Sequence, residues 1–435
     1  MEWKERYADK LKTPQEGAQL VKSGDRVAFG MLWCTPPALC RALYERKDEL
    51  EGVEVYHTLS TVPWAGPGTE KAFRLHTGFL TNTDRSAMLE GRVEYQIAGV
   101  FRPEQPVMGD GFDVFMVQVS PPDKAGLCSF GHAMWAVKSL ARTSRIVIGE
   151  VNEKFVRTGG DNFIPISEID YLVEGQPRLF AVDPPERTAE EAEVASVINT
   201  LVAEELIEDG DTVQIGTGTV SAALAEFLHN RHDLGIHSEV VFGGVPALVQ
   251  EGVVNGLHKT LNQGKVVGTS FGFMSEEELT YIDGNPVFEL YDMSYTNDIR
   301  TVSRLDRFVG VNNALLVDLT GQIAAESIGT RIHSGTGGQL AFSIGAQHSR
   351  GGRSVTVLPS SSMVDGERRS RIVPMLEAGT VVTVPRTYAD IFVTEYGIAR
   401  LAGKTLRQRV EELVAIARPD FRAELRQEAR RHYYV

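Results

Sequence analysis

The chain contains an internal repeat in which one residue changes character. Residues 24–30 read Gly-Asp-Arg-Val-Ala-Phe-Gly and residues 210–216 read Gly-Asp-Thr-Val-Gln-Ile-Gly, 186 positions later. Each stretch follows an apolar pair (Leu20-Val21, Leu206-Ile207) and precedes a helical pattern, Ala38 to Leu43 or Ala223 to Leu228. Further on, Val55-Tyr56-His57-Thr58-Leu59 aligns with Gly235-Ile236-His237-Ser238-Glu239. A duplicated strand–turn–helix pattern calls for two similar halves, and 435 residues exceed what one hydrophobic core usually supports. The aliphatic Leu59 of the first copy becomes a carboxylate, Glu239, in the second. A charge in place of an aliphatic side chain at a strand end is costly unless it has a use. Glu239 is therefore the candidate reactive group.

Local patterns support an α/β reading. Thr13-Pro14-Gln15-Glu16 and Thr188-Ala189-Glu190-Glu191 are capping boxes, the first with proline at the first helical position. Short Val/Ile-rich runs recur at 26–29, 114–119, 145–148, 212–215, 239–242, 314–318, 354–358 and 380–384. They alternate with helical patterns at 35–44, 189–208, 220–229 and 406–417. Such alternation implies two related open α/β domains, mostly parallel sheets flanked by helices. The stretch Val173 to Arg187, with Gly175, Pro177 and Pro184-Pro185, reads as a linker, so the expected domains are 1–183 and 184–435. The Arg-rich helix at 418–431 reads as a solvated surface.

Composition narrows the function. A net charge of −14 argues against a general nucleic-acid or anionic-membrane surface. Cys34, Cys40 and Cys128 have no metal-ligand spacing and suggest reduced thiols in a cytoplasm. No leader sequence and no apolar run long enough for a membrane span is visible. The ten histidines form no metal-binding pattern, so no catalytic metal is expected.

Two glycine clusters carry chemistry. Gly216-Thr217-Gly218-Thr219-Val220-Ser221 follows a strand and opens a helix, where backbone N–H groups approach an anion. A tight turn needing glycine for geometry alone explains the same residues. So does a dinucleotide fingerprint with Glu239 as its acid, which would imply an NAD-binding enzyme but lacks the third glycine. The second cluster, Ser334-Gly335-Thr336-Gly337-Gly338-Gln339, exposes several amides, the material of an oxyanion hole or of an ordinary surface loop. Gly268-Thr269-Ser270-Phe271-Gly272 matches a hydrolase nucleophile elbow by chance, since no helix starts at its serine. Asn312-Asn313, before the run at 314–318, either position a carboxyl group or cap a turn.

At these residues the chain resembles the family I coenzyme A transferases, in the acetyl-CoA hydrolase/transferase branch that includes 4-hydroxybutyrate CoA-transferase. The segments that carry the resemblance are Val119 to Asp123, Gly235 to Glu239, Asn312 to Gly321, Ser334 to Gln339, Ser370 to Pro374 and Val393 to Ala399. The resemblance implies two α/β domains with the site in the cleft between them, a homodimer or larger homo-oligomer, and Glu239 as the catalytic glutamate. It assigns the CoA-contacting loop to Gly216, Thr217, Gly218, Thr219 and Val220. The second loop falls on Gly335, Gly337 and Gly338, and a substrate-side asparagine on Asn312. Two positions depart from many relatives: Ala341, and Tyr388-Ala389-Asp390.

The implied reaction passes coenzyme A between a short-chain acyl-CoA and a free acid through an acyl-glutamyl anhydride and a glutamyl-CoA thioester on Glu239. It needs no bound metal or redox cofactor, only acyl-CoA and small acids as partners. Main-chain amides of Thr219-Val220 and Gly337-Gly338 would stabilise the oxyanions. Alternatives are an acyl-CoA hydrolase using the same glutamate, or a non-catalytic metabolite sensor. Acetate, butyrate, 4-hydroxybutyrate, succinate and itaconate are all candidate acids. Arg371 or Arg386 would meet a diacid's second carboxylate or serve a structural ion pair, and residues 57–63 with Met134-Trp135 are candidate pocket walls.

Overall fold

In the computed structural model, which describes residues 3–97, 111–179, 181 and 187–433, the two copies of the repeat fold alike. Gly24 and Gly210 take φ of +82° and +80°, a left-handed turn that glycine enters without strain. Each turn feeds the central strand of a sheet: β2 (Arg26–Phe29) in the first copy, β9 (Thr212–Ile215) in the second. Two compact units result, Met1–Val182 with Gly268–Tyr295, and Asp183–Val267 with Thr296–Val435. Pro184-Pro185 of the expected linker lies outside the described residues.

In the first unit, β1 (Leu11–Lys12), β2, β3 (Val53–Tyr56), β4 (Phe73–Thr77), β5 (Val93–Tyr95), β6 (Phe112–Val119), β7 (Ser144–Val151) and β8 (Tyr171–Glu174) make one sheet. Its order is β1-β8-β7-β6-β2-β3-β4-β5, parallel throughout. The central strands are buried on both faces, hence their continuous apolar runs. Residues 268–295 join this unit through backbone bonds such as Met134 N–H to Thr269 O at 2.8 Å and Phe271 N–H to His132 O at 2.7 Å.

The second unit repeats the plan. Its strands are β9, β10 (Gly235–His237), β11 (Val266–Gly268), β12 (Phe308–Asn313), β13 (Arg353–Val357), β14 (Ile391–Thr394) and β15 (Gly397–Arg400). They run β15-β14-β13-β12-β9-β10-β11, parallel except for the β14/β15 pair. In both units the repeat's strand lies between its successor on one side (β3, β10) and a later strand on the other (β6, β12). Open α/β sheets bind ligands outside the carboxyl ends of their strands at such a reversal of strand order. The fold is α/β with mostly parallel sheets flanked by helices, as the repeat implies.

Four local expectations are corrected. The helix expected at 220–229 is a 3-10 segment, Ser221–Phe227. The run at 239–242 starts one residue late, at Val240, so that Glu239 sits in the break after β10. Asn312-Asn313 themselves end β12, and the strand that follows them starts late, at Leu316–Asp318 rather than at 314. The run at 380–384 forms no strand: Val381 and Val382 are exposed, Pro385 follows, and only Val384 bridges to Ile323. Both Thr capping boxes form as expected.

One buried acid in the first unit makes stability pH-dependent. Glu150, on β7, accepts the Ala38 and Leu39 N–H groups at 3.0 Å, at the start of helix Pro37–Tyr44. Burial outweighs those bonds and raises its pKa from 4.5 to about 7. A raised acid pKa stabilises the fold at low pH, and that contribution is lost as pH climbs from about 4.5 through about 7. Thermal melts are expected to show Glu150→Gln losing this part of the decline. Parallel wild-type and mutant curves across that window would contradict it.

Candidate active site

The carboxylate of Glu239 is half-buried and held by two donors from distant segments of its own unit. Asn297 Nδ2 donates to Glu239 Oε2 at 2.5 Å, and the Gly338 N–H donates to the same carboxylate. Burial raises the pKa of Glu239 above its ordinary 4.5, while the two donors pull it back by stabilising the charged form. A carboxylate made more basic yet still ionisable is a better nucleophile than one in water. Gly338 has to be glycine: a Cβ there would stand 2.3 Å from Glu239 Oε2 and 2.8 Å from Asn297 Nδ2.

The orientation of Asn297 is itself fixed. Its Oδ1 accepts from the Thr296 hydroxyl at 3.0 Å, so its Nδ2 faces Glu239. The Thr296 carbonyl accepts from His237 Nε2 at 2.9 Å. Burial and nearby Lys259 push the pKa of His237 down to about 3, so the imidazole stays neutral and this nitrogen carries the proton. The histidine shared by both copies thus has a supporting role in the second. In the first copy, His57 Nδ1 accepts from Trp64 Nε1 at 3.0 Å, its ring stacks on Phe29, and Leu59 takes φ of +57°.

Asn297 escaped the sequence reading, because it lies between two short helices with no motif around it. Asn297→Ala is expected to lower turnover about 10²-fold with the fold intact, since it removes one preorganised donor. Steady-state kinetics test this, and an unchanged rate would contradict it.

The first glycine loop is shaped by the asparagines at the end of β12. Asn312 and Gln214 form a reciprocal amide pair at 2.9 and 3.1 Å, which occupies both polar atoms of Asn312. Asn313 Nδ2 reaches the Thr217 carbonyl at 3.3 Å and the Ser221 hydroxyl at 2.5 Å. A Cβ on Gly216 would lie 2.5 Å from Asn312 Oδ1, and one on Gly218 2.3 Å from Asn313 Nδ2. Close approach therefore explains both glycines. The Gly216 N–H is bound to the Val311 carbonyl at 2.8 Å. Among the described residues, the N–H groups of Thr217, Gly218, Thr219 and Val220 meet no acceptor. The α-helix that a dinucleotide fingerprint needs is absent from 221–227.

The second glycine loop is tied down by the Thr336 hydroxyl on Glu326 Oε2 at 2.6 Å, with Gly335 buried and Gly337 half-buried. Ser270, centre of the elbow-like match, is buried in a strand, and the nearest helix starts six residues later at Glu276. His57, Met134 and Trp135 are buried in the first unit. Arg386 is exposed, whereas Arg371 is half-buried.

Comparison with known proteins identifies the family. Residues 1–184 match the acetyl-CoA hydrolase/transferase N-terminal domain, and residues 275–429 match the C-terminal domain. The chain belongs to the acetyl-CoA hydrolase/transferase family. Within it, the chain is 38% identical to the 4-hydroxybutyrate coenzyme A transferase of Clostridium kluyveri, covering 100% of both chains. It is 36% identical to a probable butyrate:acetyl-CoA coenzyme A-transferase of Syntrophomonas wolfei, over 98% of this chain and 96% of that one. Among solved structures, RipA from Yersinia pestis superposes with a TM-score of 0.91 at 31% identity, covering 100% of both chains. The 4-hydroxybutyrate CoA-transferase of Porphyromonas gingivalis gives a TM-score of 0.80 at 33% identity, over 99% of this chain and 100% of that one. This acetyl-CoA hydrolase/transferase family member is thus an enzyme of the CoA-transferase type, as the resemblance implied. Among the described residues, no helix is long and apolar enough to cross a membrane.

Proposed function

We propose that the protein transfers coenzyme A between a short-chain acyl-CoA and a free carboxylic acid, with Glu239 as the covalent intermediate's carrier. The observation that carries this reading is one ionisable carboxylate, half-buried, with two fixed donors on it. A Glu239 oxygen attacks the thioester carbonyl; the C–S bond breaks, and an acyl-glutamyl anhydride and CoA thiolate form. The thiolate then attacks the glutamyl carbonyl carbon; the anhydride C–O bond breaks, the first acid leaves, and CoA remains as a thioester on Glu239. A second acid's carboxylate attacks that thioester and repeats the two steps in reverse. Charges and atoms balance with no proton or electron from outside.

In each step at the glutamyl carbon, negative charge builds on its oxygen. In the resting carboxylate Asn297 Nδ2 already points at Oε2, and the Gly338 N–H at the same carboxylate. Donors aimed in advance at developing charge are worth roughly 3–4 kcal/mol each. The unengaged amides of Thr219 and Val220 are the candidates for the oxyanion of the incoming acyl group, and Asn312 supports their loop through Gln214 and Gly216. The relatives' substrates support a short-chain acid such as butyrate or 4-hydroxybutyrate as acceptor. The test is acyl-CoA turnover with and without added acid. Transfer predicts near-silence until acetate or butyrate is supplied, and equal CoA release without acid would make the enzyme a hydrolase.

A further inference from the structure

A second polar cluster in the same unit has donors with nothing to donate to. Arg371 is half-buried, its backbone N–H bound to the Ser360 carbonyl at 2.9 Å. Among the described residues, its guanidinium forms no hydrogen bond and no ion pair within 4 Å, although Glu191 and Glu395 are close enough to interact with it electrostatically. Both carboxylates are engaged elsewhere. Glu395 accepts the Ser360 N–H at 2.8 Å and the Ser360 hydroxyl at 2.5 Å. Glu191 closes the capping box on Thr188 at 2.9 and 3.0 Å. Arg187, which also faces Glu191, has a buried Nε with no partner. Five fixed N–H donors on a partly desolvated guanidinium call for a planar or tetrahedral oxyanion. The start of the 17-residue helix Ala189–Glu205 adds a positive dipole end at the same place.

The position of the cluster selects the anion. Ser360 and Glu395 follow β13 and β14, whereas Glu239 follows β10, so all three lie beyond the carboxyl edge of one parallel sheet. From β10 to β13 is three strand steps, roughly 14 Å at about 4.8 Å each. That separation is between backbones, and the side chains at both ends shorten the gap that a ligand has to bridge. The pantetheine arm of coenzyme A, about as long as four or five extended residues at roughly 3.5 Å each, is long enough.

We propose that Arg371, assisted by Arg187, binds a phosphate of coenzyme A and so anchors the end of the thioester remote from Glu239. This rests on the transferase reading above. Binding energy from that remote end would then help to hold the reacting carbonyl against the carboxylate.

The experiment compares acetyl-CoA, acetyl-dephospho-CoA and S-acetylpantetheine as donors to butyrate, in wild type, Arg371→Ala and Arg371→Lys. The expected result is an approximately tenfold or greater fall in the acetyl-CoA to acetylpantetheine ratio of kcat/KM in Arg371→Ala, carried mainly by KM for acetyl-CoA. If the acetyl-CoA to acetyl-dephospho-CoA ratio falls with it, the contact is to the 3′-phosphate; if that ratio holds, it is to the pyrophosphate. A purely structural arginine would lower both donors in proportion, which overturns the inference. So would a loss seen only with succinate relative to acetate as acceptor, which would mark a diacid site. Should Arg371→Ala fail to fold, calorimetric titration of wild type and Arg371→Lys with 3′-phospho-ADP decides instead: weaker binding by the variant supports the contact, and equal or absent binding overturns it. Wild type inactive with every donor while still binding 3′-phospho-ADP would sink the transferase reading rather than the anchor.

Discussion

Alanine in place of Glu239 is expected to lower transfer from acyl-CoA to a free acid by on the order of 10⁴–10⁶-fold, the usual scale for a lost covalent nucleophile. The groups bound around the carboxylate among the described residues cannot take its place: Asn297 presents its amide nitrogen, Gly338 its N–H, and His237 is turned toward the Thr296 carbonyl. Glu239→Gln keeps the size and loses the charge, so it separates nucleophilicity from packing and should be equally inactive. The wild-type pH profile provides a linked check. Because burial raises the pKa of Glu239, its nucleophilic form is lost on acidification at a pH above the ordinary 4.5. The acid limb of kcat/KM should therefore lie above that value. Full activity of the alanine variant would remove the mechanism.

Gly338→Ala is expected to be the most damaging change that leaves every functional group in place. The new methyl carbon would start 2.3 Å from Glu239 Oε2, 2.7 Å from the Phe342 ring and 2.8 Å from Asn297 Nδ2. Phe342 is fully buried against Phe308, Val302, Leu305 and Ala346 and has little room to yield. The carboxylate and its amide partner have to move instead. Loss of near-attack geometry together with one donor predicts a fall in kcat of about 10³-fold. Gly338 lies at the start of helix Gln339–His348 with φ of −75°, a value any residue adopts, so the backbone is unstrained and the stability cost is confined to the contact with the Phe342 ring, on the order of 1–3 kcal/mol. Kinetics paired with a thermal melt test this. A variant that melts normally and turns over normally would show that the close packing on Glu239 is unimportant.

The architecture was legible because the repeat is a backbone device. Gly24 and Gly210 mark the same left-handed turn, and the runs they introduce are strands with the expected bounds, Arg26–Phe29 and Thr212–Ile215. Glu239 stood out because its counterpart is Leu59. What misled the reading was local composition acting against tertiary context. The valines at 381 and 382 look like a strand, yet both are exposed. The helical pattern after Val220 tightens into 3-10 geometry. Asn312 and Asn313 are adjacent in sequence but point to opposite faces of β12, one to Gln214 and the other to the glycine loop. Asn297 stayed hidden because its importance is a contact 58 positions away, made through a turn that no local pattern announces.

The most direct measurement is the mass of the peptide carrying Glu239 after brief incubation with an acyl-CoA and no acceptor acid. The account predicts that this peptide gains coenzyme A on Glu239, and that added acetate removes the adduct as acetyl-CoA forms. Transfer proceeding at its normal rate while Glu239 stays unmodified throughout would contradict it.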